Sequence, residues 1–224
     1  MQKEIYLIQG LQDENYSGFH SRISGMVEFI AETLKPGGLK YTITAKAPPP
    51  VSIIPFSKKL ITAVSVYKEE THPVSNLIDA DGFYGAYRVT EALPVTYTKD
   101  WTDGDATPGA CLLTLFRKKK DIDHNKFIDR WHNSHTPLSL RYHPLWNYNR
   151  NVAHERLTSD SIHFDGIVEE QVRKPSDLLN PFKFFGNPLV IIPRMLHVYA
   201  DTKAFIDYPT METYLANEYH IISK

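Results

Sequence analysis

Apolar residues gather into short strand-like runs separated by stripes at helical spacing, and the order of these runs is repeated once along the chain. Ile5 to Gln9 is a β-branched and aromatic run that predicts a strand. From Phe19 through Ile23, Met26, Val27, Ile30 and Leu34 the apolar positions recur at helical intervals, which predicts a helix stopped by Pro36-Gly37-Gly38. Leu39–Thr44 and Leu60–Tyr67 alternate as strands around a loop that holds Pro48-Pro49-Pro50. A weaker helical stretch covers Pro73–Ile78, and Tyr84–Tyr97 is strand-like, with Pro94 marking an edge or a break. The first half thus predicts the order β-α-β-β-α-β.

Residues 98–109 turn to Asp, Gly, Thr and Pro, the composition of a polar connector, and the order then restarts. Cys111–Phe116 predicts a strand, and a helix begins at Asp123. Trp146–Leu157 and Phe164–Val172 predict two strands, Lys174–Phe185 a helix, and Met211–Ile222 a last strand, while Leu189–Ala200 is an apolar stretch of undecided type. A β-α-β-β-α-β unit is the ferredoxin-like arrangement, with helices on one face of an antiparallel sheet and the other face open. Two units packed sheet to sheet would bury both open faces. The expected fold class is therefore α+β: two tandem ferredoxin-like repeats closing an intrachain α+β barrel. Residues 1–100 form the first repeat, 101–109 the linker and 110–224 the second repeat, with a ligand cavity between the sheets.

Composition changes this picture only by exclusion. A chain of 224 residues, 42% of them hydrophobic, can bury a sizeable core. The 25 basic and 26 acidic side chains leave a net charge of -1, which argues against a nucleic-acid or membrane-surface partner. The single cysteine, Cys111, cannot form an internal disulfide, and no leader or membrane-length apolar run is visible, so the expected location is cytoplasmic.

Candidate chemistry concentrates in Asp121–Leu138. On a helical wheel of about 100° per residue, Phe127, His135, Leu138 and Tyr142 fall within about 40° of Trp131, whereas His132 lies at the edge of that stripe. Pro137 cannot donate a helical hydrogen bond, so a kink or a new helical start is expected at Thr136-Pro137. His135 can be read as an acid/base group at the mouth of the barrel, since imidazole titrates near neutrality. It can equally be a satisfied core histidine or a helix cap. A third reading makes His132 and His135 metal ligands completed by His143, His154 or His163, but no acidic or cysteine partner stands at a characteristic interval, and no metal is expected.

The same segment carries a family resemblance. A strand ending in Phe116-Arg117-Lys118-Lys119, an acidic helix start, Phe127 and Trp131 four apart, His135-Thr136-Pro137-Leu138 and the strand Tyr148-Asn149-Arg150-Asn151 together resemble the EthD family of the dimeric α+β barrel superfamily. The resemblance spans residues 110–222, and the closing segment Asp201–Asp207 with Glu218 on the last strand adds to it. In the first half the corresponding helix reads Phe19-His20-Ser21-Arg22-Ile23-Ser24-Gly25-Met26-Val27-Glu28-Phe29, without the tryptophan and histidine, so it is read as a degenerate copy supplying the other barrel wall. The resemblance implies a fold more than an activity, because the family holds proteins of unknown role beside fungal dehydratases and decarboxylases of aromatic polyketides.

The expected function is a cofactor-independent small-molecule enzyme of the lyase, isomerase or cyclase type. His135 would move a proton on an aromatic or ketonic substrate, oriented by Tyr148 or Asn149, whichever strand alternation turns inward. Trp131, His132, Trp146, Arg194, His197 and Tyr199 are candidate substrate contacts, and Asp201 and Asp207 read as turn and cap residues. The alternatives are a non-catalytic barrel protein, hydrophobic-ligand-binding or stress-associated, and a cofactor-free monooxygenase. No cofactor is expected, since the glycine-rich phosphate loops, Gly-x-Ser-x-Gly and His-Glu-x-x-His are lacking from the sequence. The expected partner is a small molecule, and the chain is either a monomer with an internal pseudo-dimer or a homodimer.

Overall fold

The computed structural model describes residues 1–70 and 72–223; Thr71 and Lys224, the last residue of the expected second repeat, lie outside the described residues. The first half runs β1 (Gln2–Gln9), α1 (Tyr16–Leu34), β2 (Gly38–Ile43), β3 (Ile61–Lys68), α2 (Ser75–Ile78) and β4 (Phe83–Val95). The second begins with β5 (Ala110–Phe116), α3 (His124–Asp129), a π-helical turn (Arg130–His135) and α4 (Thr136–Tyr142). It continues through β6 (Leu145–Arg156), β7 (Gly166–Val172), α5 (Pro175–Leu179), α6 (Pro181–Phe184), α7 (Ile191–Lys203) and β8 (Glu212–Ile222).

Among the described residues eight strands close one antiparallel barrel in the order β1-β3-β2-β8-β5-β7-β6-β4. Each half lays its strands in the order fourth, first, third, second, and the seams between halves are β2 with β8 and β4 with β6. Helices cover the outside. An eight-stranded barrel is just wide enough for its inward side chains to fill it. One end is packed by Ile5, Leu7, Ile61, Tyr87, Leu113, Leu115, Ile167 and Tyr214.

The other end carries a buried ion network that joins the halves. Lys40 Nζ lies 2.8 Å from Glu169 and 2.7 Å from Glu218, while Lys3 Nζ lies 2.8 Å from both Glu91 and Asn151. Burial opposes the charge on Lys40, but the two carboxylates outweigh it and raise its pKa. Burial likewise opposes the charge on Glu91, and Lys3 overcomes it to bring that carboxyl down to about 2. The expectation of a ligand cavity between the sheets is thereby corrected: side chains occupy the interior, leaving a polar recess at one mouth beside Tyr97 and His220.

The outer faces of the two halves differ. In the first, Phe19, Ile23, Val27 and Ile30 of α1 fill the surface offered by Tyr6, Tyr41, Val64 and Val66. Asn15 begins α1 by accepting the Gly18 N–H at 2.8 Å. In the second, Phe127 and Trp131 pack on Phe116, Tyr148 and Val168, and Phe184 packs beside Leu112 and Val172.

Local departures from the sequence expectations have identifiable causes. Leu189–Ala200 lies mostly in helix α7. The stretch 174–185 breaks at Asn180, whose side chain caps α6 by accepting the Phe182 N–H at 2.9 Å ahead of Pro181. Of the kink or new helical start expected at Thr136-Pro137 the structure has the start, α4 beginning at Thr136, and a π turn precedes it, in which the Thr136 N–H reaches back to the Trp131 carbonyl and the wider turn absorbs the proline. Pro94 sits at a register shift near the end of β4, a strand paired on both sides. No helix among the described residues is long and apolar enough to cross a membrane.

Candidate functional site

Between the outer face of the second half's strands and its helices lies a cavity of about 590 Å³, within the size range of small-molecule sites. Its floor is Leu112, Thr114 and Phe116 of β5, Val168 and Glu170 of β7, and Tyr148 of β6. Its roof is Trp131, His135 and Ser139 together with Met195, Val198, Tyr199 and Thr202 of α7. The proline-rich loop of the first half closes one side with Ile53, Ile54 and Pro55. That loop is pinned by Ser57 N–H to Thr213 O and Thr213 Oγ1 to Pro55 O, both 2.8 Å.

His135 is presented by the π turn and held at both ring nitrogens. Asp201 Oδ2 lies 2.9 Å from Nδ1, and Ser139 Oγ lies 3.1 Å from Nε2. A carboxylate can only accept, so Nδ1 carries a proton, and in the neutral ring Nε2 is then the lone-pair nitrogen, directed at the Ser139 hydroxyl on the cavity wall. Burial would raise the Asp201 carboxyl, but hydrogen bonds from His135 and Ser134 outweigh it and hold the group below the usual range. Asp201 is therefore a partner of the histidine, which corrects its reading as a turn or cap residue.

Strand alternation decides between Tyr148 and Asn149. Tyr148 faces the cavity with its hydroxyl accepting from Trp131 Nε1 at 3.4 Å. Burial first, and the neighbouring Glu170 second, push its pKa up, so it stays a phenol. Asn149 points into the barrel, where it donates to Glu91 at 2.9 Å. Its candidacy beside His135 is corrected on that ground.

Glu170 is the group that the sequence reading missed. It sits on β7 opposite Tyr148 on β6 and Leu112 on β5, is 8% exposed, and lines the cavity. Burial alone raises its pKa to about 7. His143 also lines the cavity; its Nδ1 donates to Phe184 O at 3.0 Å, and burial lowers its pKa to about 4, so it is a neutral wall group.

The remaining expected contacts separate into two groups. Trp131 and Tyr199 line the cavity. His132, Trp146, Arg194 and His197 do not. His132 stacks edge-on against Trp131, with its pKa lowered to about 4 by burial and then by Arg150. Trp146 packs with Tyr97 and Trp101 under Arg173, beyond the polar end of the barrel. Arg194 donates to Phe185 O at 3.0 Å and lies over the Tyr142 ring, and His197 meets the Tyr142 hydroxyl at 3.0 Å. Among the described residues no group of three His, Cys, Asp or Glu side chains is arranged to hold a metal ion.

A readable signal for Glu170 existed in Gly166–Val172. Two adjacent glutamates inside an otherwise buried strand must face opposite compartments, and each then needs its own explanation. Ser139 could have been found as the residue one helical turn after His135.

No protein-family model matches the chain, and no curated protein sequence does. Solved structures do resemble it. An anthrone oxidase-like protein superposes with a TM-score of 0.60 at 6% identity, covering 100% of this chain and 94% of that one. A protein named as a putative monooxygenase from Fusobacterium nucleatum subsp. nucleatum gives 0.52 at 10% identity, covering 98% and 92%. At such identities the likeness is one of fold alone, the α+β barrel described above.

Proposed function

We propose that the protein is a small-molecule enzyme in which His135 takes a proton from an apolar aromatic or ketonic substrate bound between the second half's sheet and its helices. The observation that carries this reading is the Asp201–His135–Ser139 array at the cavity wall, with contacts of 2.9 and 3.1 Å. Asp201 holds the tautomer whose Nε2 is basic, and Ser139 is the one group the substrate must displace or use as a relay. The apolar walls limit water, which keeps a carbanion or enolate from being quenched. The chemistry is of the lyase, isomerase or cyclase kind and draws its base from the chain itself. A positioned base contributes roughly 10²–10⁴ in rate, so His135→Ala and His135→Gln are expected to lose that much turnover of a confirmed substrate. Unchanged turnover in both variants would refute the reading.

A second reading, oxygenation of a deprotonated phenol or ketone without a cofactor, is favoured by the names of the two structural neighbours. Oxygen consumption during turnover separates it from the first. A purely ligand-binding role is disfavoured by Glu170, a second titratable group in the same cavity. We further infer that the halves 1–100 and 110–224 are tandem ferredoxin-like repeats, on the basis of their common strand order, and that the second is of EthD type.

A further inference from the structure

We infer that Glu170 is the proton donor of this site, so that the substrate is an uncharged, enolisable ketone whose carbonyl oxygen rests on the Glu170 carboxyl. This rests on the proposed base role of His135 and adds the opposite half of the reaction. The other carboxylates buried in the barrel wall have a cation: Glu4 has Lys68 and Arg88, Glu91 has Lys3, and Glu169 and Glu218 share Lys40. Glu170 is buried too, yet among the described residues its carboxyl has no ion pair and no hydrogen bond, and no lysine or arginine lines its cavity.

The titratable groups that share the cavity are Tyr148 from β6, His135 from the π turn, His143 after α4, Tyr199 from α7, and Tyr208. None of them is a permanent cation. A lone carboxyl in such surroundings holds its proton near neutrality and offers an O–H to whatever fills the space. A carbonyl oxygen answers that donor, whereas a carboxylate ligand would bring a charge that no lysine or arginine of the cavity balances.

His135 and Glu170 then come from opposite walls, the base from the helices and the acid from the sheet. The α-carbon's C–H bond breaks as its proton passes to Nε2. The electron pair forms the C=C bond, the carbonyl π pair moves to oxygen, and oxygen takes the Glu170 proton. The products are an enol, an imidazolium and a carboxylate, and reprotonation at carbon with return of the enol proton to Glu170 closes the cycle without an oxidant.

The test uses 2-tetralone, an apolar ketone with an acidic α-CH, as probe. In the infrared difference spectrum at pH 6, the C=O stretch of a protonated carboxyl is expected in the wild type, absent from Glu170→Gln and Glu170→Leu, and shifted to lower frequency by 2-tetralone. α-Deuterium exchange of 2-tetralone, followed by NMR, is expected to slow about 100-fold in Glu170→Gln without a matching loss of affinity. Glu170→Leu, with an apolar residue in an apolar wall, serves as the folded control. A band that 2-tetralone leaves unmoved, or exchange at the wild-type rate in both variants, overturns the proposal. So does a band abolished by 2-aminotetralin binding more tightly than 2-tetralone, because Glu170 would then be the counter-ion of an amine. His135→Ala is expected to lose exchange while keeping the infrared shift; if it keeps exchange and Glu170→Gln loses it, the base assignment fails and the acid assignment stands.

Discussion

Burying Glu170 without a cation has a cost that appears only when the carboxyl ionises, which makes its magnitude measurable. The folded protein holds the proton up to a pKa of about 7, whereas the unfolded chain releases it near the ordinary 4.5. Between these values the folded state binds more protons than the unfolded one, so stability falls as pH rises through the window and is level above it. At about 1.4 kcal/mol per unit, the loss is roughly 3 kcal/mol, a large part of a typical domain's stability. Glu170→Gln keeps the volume and removes the titration. Urea unfolding followed by tryptophan fluorescence at pH 5, 6, 7 and 8 is expected to give the variant a gain that grows across the series towards about 3 kcal/mol at pH 8. A constant difference between the two proteins from pH 5 to pH 8 would mean that Glu170 is hydrated or paired in solution, and would remove the basis for its neutral form.

Other outcomes follow from the same structure. Asp201→Asn is expected to lower α-proton exchange of 2-tetralone about 100-fold by releasing the His135 tautomer, and to remove the loss of stability that the wild type suffers as pH falls through the depressed pKa of Asp201. Lys40→Met leaves Glu218 without its lysine and Glu169 with only Lys3, at 3.9 Å, so a loss of about 3–5 kcal/mol in urea unfolding is expected. Leu112→Trp fills the cavity floor; calorimetric binding of 2-tetralone should vanish while the far-ultraviolet circular dichroism stays that of the wild type. The equivalent enlargement Val64→Trp has no cavity to enter beneath α1 and should instead unfold the protein at lower urea concentration.

Alternation and helical spacing were enough to order all eight strands and the two longer helical regions, because each strand presents one face to helices and one to the barrel interior. The π turn was not readable, since nothing in Arg130–His135 distinguishes a five-residue hydrogen bond from a four-residue one before Pro137 is fitted. His135 and Trp131 were found because a stripe marks a buried face without saying what opposes it. Asp201 and Glu170 were missed for the complementary reason: each gains its role from a segment distant in sequence, Asp201 from the π turn and Glu170 from the absence of a basic neighbour across the sheet. The cavity itself fell on the other side of the sheet from its expected place. Periodicity gives the two faces of a strand but cannot say which of them is packed more completely.

Glu169 and Glu170 stand next to each other on β7, one ion-paired inside the barrel and one alone outside it. A slip of β7 by one residue would turn every side chain of the strand to its other face: one direction puts Val168 in the place of Glu169 beside Lys40, and the other puts the uncharged Gln171 in the place of Glu170 on the cavity wall. The strand thus carries its own proofreading. A misregistered barrel would lose either the ion pair inside or the lone carboxyl outside, so the sequence that equips the site also marks the register of the strand that carries it.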